Sequence, residues 1–189
     1  LNEREKYEAV WGNPNYRVHS PGMRLIEDIE GWLREIKAKS VIDVGCGTGR
    51  VLARLSRAGL KCVGIDIATN ACTEFDGEVH VLDVTDAGDV LPRADAVLCT
   101  DMLEHVPPDL VDACLSAINV MAPRAYLQIA LFKDAGAAWG VSEPLHLSLF
   151  SPGEWVDRLE RAGFKIEHKR LIGSENGRLV LKLASAAST

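Results

Sequence analysis

No apolar run in this chain approaches the ~18 residues a membrane-spanning helix needs. Nor does it open with the charged, apolar and small-residue succession of a secretory signal. Cysteine is sparse and unpaired in pattern: the five residues, at 46, 62, 72, 99 and 114, are odd in number and form no CxxC. For all but Cys46, buried free thiols in a reducing, cytoplasmic setting are expected rather than a disulfide framework. Because the chain opens on Leu1, we expect a few native residues ahead of it. Positive charge is also short. The formal net charge of -6 leaves no broad basic field to collect phosphate backbones. A local patch from Lys165, Lys169, Arg170 and Arg178 stays open. Linkers, repeats and low-complexity segments are missing too.

What is present suits one globular domain. The 189 residues are 47% hydrophobic and 25% charged, the balance of a soluble protein with a single core. One domain over 1–189 is expected, with a helical cap over 1–38 and an α/β core over 39–185. Leu1–Val10 is charged and helix-prone, and 11–15 (WGNPN) breaks it. Leu25, Ile29, Trp32, Leu33 and Ile36 then recur at helical spacing. Short β-branched runs predict parallel strands at Ser40–Val44, Lys61–Ile67, Val79–Val84, Ala94–Thr100 and Ala125–Phe132. Helices are expected at Arg50–Ala58, at Pro107–Met121 with two prolines in its first turn, and from the Ser151–Glu154 capping box to Gly163. Phe164–Leu171 and Arg178–Ala184 read as an antiparallel hairpin around 173–177. Strands alternating with helices imply a mostly parallel sheet covered on both faces.

Asp43, Asp66, Asp83 and Asp101 fall at or just past the ends of four successive predicted strands. Ligands of open α/β sheets bind at that edge. The first of these strands runs into Gly45, Gly47 and Gly49, which let the backbone turn sharply and approach a ligand at a helix N-terminus. A dinucleotide site needs a small residue where this chain has Arg50, so an NAD-dependent oxidoreductase is disfavoured.

VIDVGCGTG, VGIDIA, HVLDV and CTDMLEHVP, in that order, resemble the four motifs of class I S-adenosylmethionine-dependent methyltransferases, over roughly residues 20–185. The resemblance implies a Rossmann-like seven-stranded sheet with a final antiparallel hairpin. It implies that Asp43, Gly45, Cys46, Gly47 and Gly49 wrap the methionine part of S-adenosylmethionine. Asp66, beside Ile67, would hold the ribose hydroxyls, Asp83 the adenine amino group, and Val84 would flank the ring. Thr100 and Met102 would line the methionine and the transferred methyl. Arg24, in the pre-strand segment YRVHSPGMR, would pair with the methionine carboxylate, and Tyr16, Arg17 and His19 would meet the acceptor.

Methyl transfer from a sulfonium needs an acceptor held in line and, where required, a proton removed. If a helix begins near Asp101, then Asp101, Glu104 and His105 share one face, and His146 follows the fifth strand to the same edge. Two carboxylates and two imidazoles can hold a divalent ion such as magnesium that polarises a hydroxyl. DMLEHV with HLSLFSPGEW is similar to the ubiquinone-biosynthesis O-methyltransferases and, more distantly, to small-RNA 2′-O-methyltransferases. Both carry an ExxEH segment and a later histidine as metal ligands, which implies Asp101, Glu104, His105 and His146 here, with Asp101 in place of the first Glu. Three readings stay open at this point: a metal, a general base at His105 or His146 helped by Glu104, and a structural role. Trp139 and Trp155 read as core or pocket wall, and 135–141 as a mobile loop by the acceptor pocket. The expected activity is O-methylation of a small or medium-sized molecule. Modification of a nucleic-acid or nucleotide end and a catalytically silent cofactor-binding partner are the alternatives.

Overall fold

A computed structural model describes residues 2–91, 93–134, 136–173 and 177–186. The cap comprises α1 (Glu3–Trp11), α2 (Pro14–Arg17) and a 3-10 turn (Pro21–Leu25) leading into α3 (Ile26–Glu35). The α/β core follows as β1 (Ser40–Val44), α4 (Arg50–Arg57), β2 (Lys61–Asp66), β3 (Glu78–Val81), α5 (Val84–Val90), β4 (Ala96–Thr100), α6 (Val111–Met121) and β5 (Arg124–Ala130). It closes with α7 (Pro152–Arg161), β6 (Phe164–Ile172) and β7 (Arg178–Ser185). One sheet of seven strands runs β3-β2-β1-β4-β5-β7-β6. All pairings are parallel except those of β7, which is antiparallel to both β5 and β6. The residues joining β6 to β7 at 174–176 lie outside the described residues.

The pleat sorts the core into two layers. In β4, Ala96 and Leu98 join Ile29, Trp32, Leu33, Leu52 and Leu55 of α3 and α4, whereas Val97 and Cys99 join α6 and α7 on the other face. Tyr126 and Val180 point to the first layer, and their neighbours Leu127 and Leu181 to the second. That alternation is the period of two expected of strands covered on both sides.

Three expected elements shift. The third strand ends at Val81, because Asp83 is the N-cap of an unforeseen helix, its carboxylate accepting from Thr85 N at 2.9 Å. No helix starts at Pro107; that segment is a turn and α6 begins at Val111. No helix starts at Asp101 either, because this residue sits at φ 51, outside helical backbone space. The Ser151 capping box with Pro152 in the first turn is present as expected. Trp155 is fully buried in the core against Phe150, with ring centroids 5.1 Å apart. No helix of the described residues is long and apolar enough to cross a membrane.

Candidate functional site

The strand order reverses between β1 and β4, which places a crevice at their carboxyl ends. Two adjoining cavities, of about 140 and 310 Å³, open there and share Trp11, Tyr16, Gly45, Asp101 and His105. Gly45, Asp66, Ile67, Asp83, Val84 and Met102 line the smaller one. Arg24, Asp43, Gly45, Cys46, Gly47 and Thr100 line the larger, with His146. Gly49 lines neither. It is the N-cap of α4 at φ 85, where an added Cβ would fall 2.6 Å from Cys72 Sγ.

The glycine turn is held from both sides. Gly45 N and Cys46 N donate to Ile65 O, and Gly47 N donates to the Asp66 carboxylate at 2.9 Å. Asp66 also accepts from Ala68 N, yet burial outweighs these bonds and pushes its pKa up. Asp43 is 3% exposed, and burial, then the nearby Asp66, pushes it up to about 8. Asp43 is thus kept poor in charge at neutral pH beside a cavity.

The cap covers this turn. An added Cβ on Gly47 would come 2.9 Å from the Trp11 ring, which packs edge-on to Tyr16. Tyr16 and His19 continue to Trp139, which forms the wall from a 3-10 turn at Gly136–Trp139. Ala135, in the segment expected to be mobile, lies outside the described residues. Arg17 does not reach the cavities. Its guanidinium donates to Trp11 O at 2.7 Å, Asn70 O at 2.9 Å, Ala71 O at 3.0 Å and Thr73 Oγ1 at 2.7 Å, clamping the cap to the loop after β2. Arg50 binds the Glu74 carboxylate at 2.9 Å and Val18 O at 3.0 Å, a second tie between cap and core.

A 3-10 turn, Leu103–His105, replaces the expected helix and sends neighbouring side chains apart. Glu104 is 0% exposed: Oε1 accepts from Ala130 N at 2.9 Å, and Oε2 has no partner among the described residues. Burial and the nearby Asp101 push its pKa well above the usual carboxylate range. Glu104 O accepts from Leu147 N and Ser148 N, which draws the 145–148 segment against the turn. His146 thereby meets His105 with ring centroids 4.8 Å apart and planes perpendicular. His146 Nδ1 bonds Phe132 O at 2.6 Å, and His105 Nδ1 bonds Leu145 O at 3.2 Å. Carbonyls only accept, so His146 carries a hydrogen on Nδ1, whereas His105 Nδ1 is shared between Leu145 O and the Tyr7 hydroxyl. Burial and the adjacent His146 bring His105 down to about 3.

Glu104, His105 and His146 each bring a ligand atom within 4.8 Å of the others. An orphaned buried carboxylate oxygen beside two carbonyl-anchored imidazoles fits a divalent cation. Asp101 stands outside this set. Its carboxylate accepts from Gln128 Nε2 and faces Arg178 Nε at 3.5 Å, because left-handed backbone turns it toward β5 and β7. Arg178 is thereby drawn to the cavity, and Arg170 lies 3.4 Å from Asp28, so the envisaged basic patch is divided.

Several wall residues were not singled out from the sequence. Tyr7 OH bonds His105 Nδ1 at 2.8 Å, and Tyr7 and Trp11 are one helical turn apart on α1, a spacing that could have flagged them. Asp134 accepts from Leu145 N and His146 N and so positions His146. It continues the series of acids just past strand ends to the fifth strand.

The methyltransferase-domain family matches residues 19–169 of this sequence. The chain belongs to the class I S-adenosylmethionine-dependent methyltransferases. Among curated members, it is 30% identical over 136 residues to a ubiquinone biosynthesis O-methyltransferase of Alkalilimnicola ehrlichii, covering 62% of this chain and 55% of that one. A namesake from Salmonella enteritidis is 30% identical over 159 residues, covering 73% and 63%. The chain therefore spans about three fifths of the length of those relatives. Its fold matches magnesium protoporphyrin IX methyltransferase of Synechocystis, solved with S-adenosylhomocysteine, with a TM-score of 0.69 at 20% identity, covering 95% and 93% of the chains. A methyltransferase of Clostridium acetobutylicum gives a TM-score of 0.72 at 11% identity, covering 89% and 93%.

Proposed function

We propose that this chain transfers the methyl group of S-adenosylmethionine to a hydroxyl of a small or medium-sized molecule. The observation that carries the reading is the junction of the two cavities at Gly45, Asp101 and His105. One cavity offers the acids and apolar residues suited to an adenosine. The other offers Asp43 and Arg24 for an amino-acid end, with the histidine pair beyond. A sulfonium methyl at the junction would face the histidines.

The reaction is a displacement: the acceptor oxygen bonds the methyl carbon, the sulfur–carbon bond breaks, and S-adenosylhomocysteine leaves. The chain's task is largely to align the two partners. The glycine turn and the Trp11–Tyr16 cover hold the cofactor against β1. Trp139, Phe132 and Tyr16 exclude water from the acceptor side, and without a metal the Nε2 of His146 can receive the acceptor proton. Glu104, His105 and His146 would hold a divalent cation, which lowers the pKa of a hydroxyl bound to it. Two imidazoles and one carboxylate suit zinc or manganese better than magnesium, which prefers oxygen donors. The O-methyl reading also draws support from the named activity of the curated relatives.

The test is transfer of labelled methyl from S-adenosylmethionine into a fractionated host extract, with and without chelator. Chelator-sensitive label in the organic-soluble fraction is expected. Label in nuclease-sensitive material would move the acceptor to nucleic acid, and no label despite cofactor binding would refute the activity.

A further inference from the structure

Among the described residues of β7, only Arg178 lines the larger cavity. The strand begins there, paired with Ala130 at the carboxyl end of β5. Sheet order puts β4 and β5 between this arginine and the glycine turn after β1. That is three strand spacings, roughly 14 Å. Arg178 therefore stands on the histidine side of the cavity. Arg24 instead comes in with the 3-10 turn whose Gly22 leaves no room for a Cβ against Thr100, at the end of β4.

Nothing in the transfer step uses this second cation, and the fold does not neutralise it well. Its Cζ lies 5.1 Å from the centroid of the Phe132 ring, and the His146 ring tilts against the same phenyl at 5.2 Å. The acid it faces is Asp101, but Nε stands 3.5 Å from Oδ2, and this buried N–H makes no hydrogen bond among the described residues. Asp101 already accepts from the Gln128 amide, and burial pushes its pKa up, which makes it a weak counter-ion. The terminal amino groups of Arg178 also make no hydrogen bond among the described residues. A guanidinium with most of its donors unused thus forms part of the cavity wall.

We propose that Arg178 binds a carboxylate of the acceptor, so that the acceptor is a hydroxy acid built on an aromatic ring. This assignment rests on methyl transfer to a hydroxyl, as proposed above. A planar guanidinium presents paired N–H donors that match the two oxygens of a carboxylate, and packing on Phe132 holds that plane in place. Trp139, Tyr16, His19 and Phe132 supply flat walls around the remaining space, which suits an aryl ring. With the carboxylate on Arg178, the hydroxyl is left toward His146, which shares the Phe132 wall. Asp134, the other acid on this side, is spent on Leu145 N and His146 N.

The test reads binding and needs no turnover. The full chain, saturated with S-adenosylhomocysteine, is titrated by calorimetry with 4-hydroxybenzoate and with 4-hydroxybenzamide, the same ring without the charge. The acid should bind at least about tenfold more tightly than the amide. Arg178→Gln should weaken the acid by about 10- to 100-fold, as loss of a charge-assisted hydrogen bond does, and leave the amide unchanged. Arg178→Lys keeps the charge without the fork and should fall between. Both variants should bind S-adenosylhomocysteine as the unaltered chain does, which also shows that they are folded. Equal affinity for acid and amide, or no binding of either, would overturn the carboxylate site. A folded variant that loses S-adenosylhomocysteine would overturn it too, by giving Arg178 to the cofactor's own carboxylate. If the acid binds as expected while no methyl is transferred to any acceptor, the activity fails and the carboxylate site stands.

Discussion

Raising the pH from 6 to 8 should tighten the binding of S-adenosylhomocysteine. The group responsible is Asp43, buried in the wall of the larger cavity and pushed up to about 8 by burial and by Asp66. To pair with the ligand's ammonium it must first ionise. At pH 7 only about a tenth of it is ionised, a cost of about 1.4 kcal/mol or tenfold in affinity. Between pH 6 and pH 8 the ionised share grows about fiftyfold, and the dissociation constant should fall by a similar factor before flattening. Calorimetry in buffers of different ionisation enthalpy should register about 0.9 protons released per ligand at pH 7. Asp43→Asn should bind more weakly and lose the pH dependence. The same shift acts on the ligand-free fold with a defined sign. A carboxyl whose folded pKa lies above its unfolded value supports the fold fully below about pH 4, and that support drains away up to about pH 8. Asp43→Asn should therefore stabilise the ligand-free chain at pH 8 and leave it little changed at pH 4. Proton release that persists unchanged in this variant would refute the assignment to Asp43.

Other expectations rest on single contacts. Gly47→Ala places a Cβ against the Trp11 ring at φ 52 and should cost ~1–3 kcal/mol by chemical denaturation while lifting the cap from the glycine turn. Trp155→Ala should cost ~3–5 kcal/mol without changing ligand affinity in the folded fraction. Arg17→Ala removes the cap's clamp, so hydrogen exchange in α1 should quicken while β1 and β4 stay protected. His146→Ala should lower methyl transfer by about 10²–10⁴-fold and, by manganese titration, weaken metal binding.

The sheet was legible because β-branched runs ending in glycine or aspartate have one strong local meaning. The helix at Val84–Val90 was not, since VTDAGDV has little apolar periodicity and its start rests on one cap, Asp83. Prolines 107 and 108 suggested a helix start but build the turn before one. Most of the cavity wall at the glycine turn and the strand ends was legible because both signals are local in sequence. The histidine side of the cavities is assembled across the chain. Tyr7 and His105 meet over 98 residues, and Arg178 enters from β7. Asp101 illustrates the limit: its spacing to Glu104 and His105 implied one face, but a left-handed backbone turned it to Arg178 instead.

The most direct measurement is a crystal structure of the chain with S-adenosylhomocysteine. The account predicts adenine beside Asp83 and Val84, ribose at Asp66, the amino-acid end at Asp43 and Arg24, and the sulfur facing His105 and His146. A ligand whose sulfur points away from the histidine pair, or one bound outside the two adjoining cavities, would contradict it.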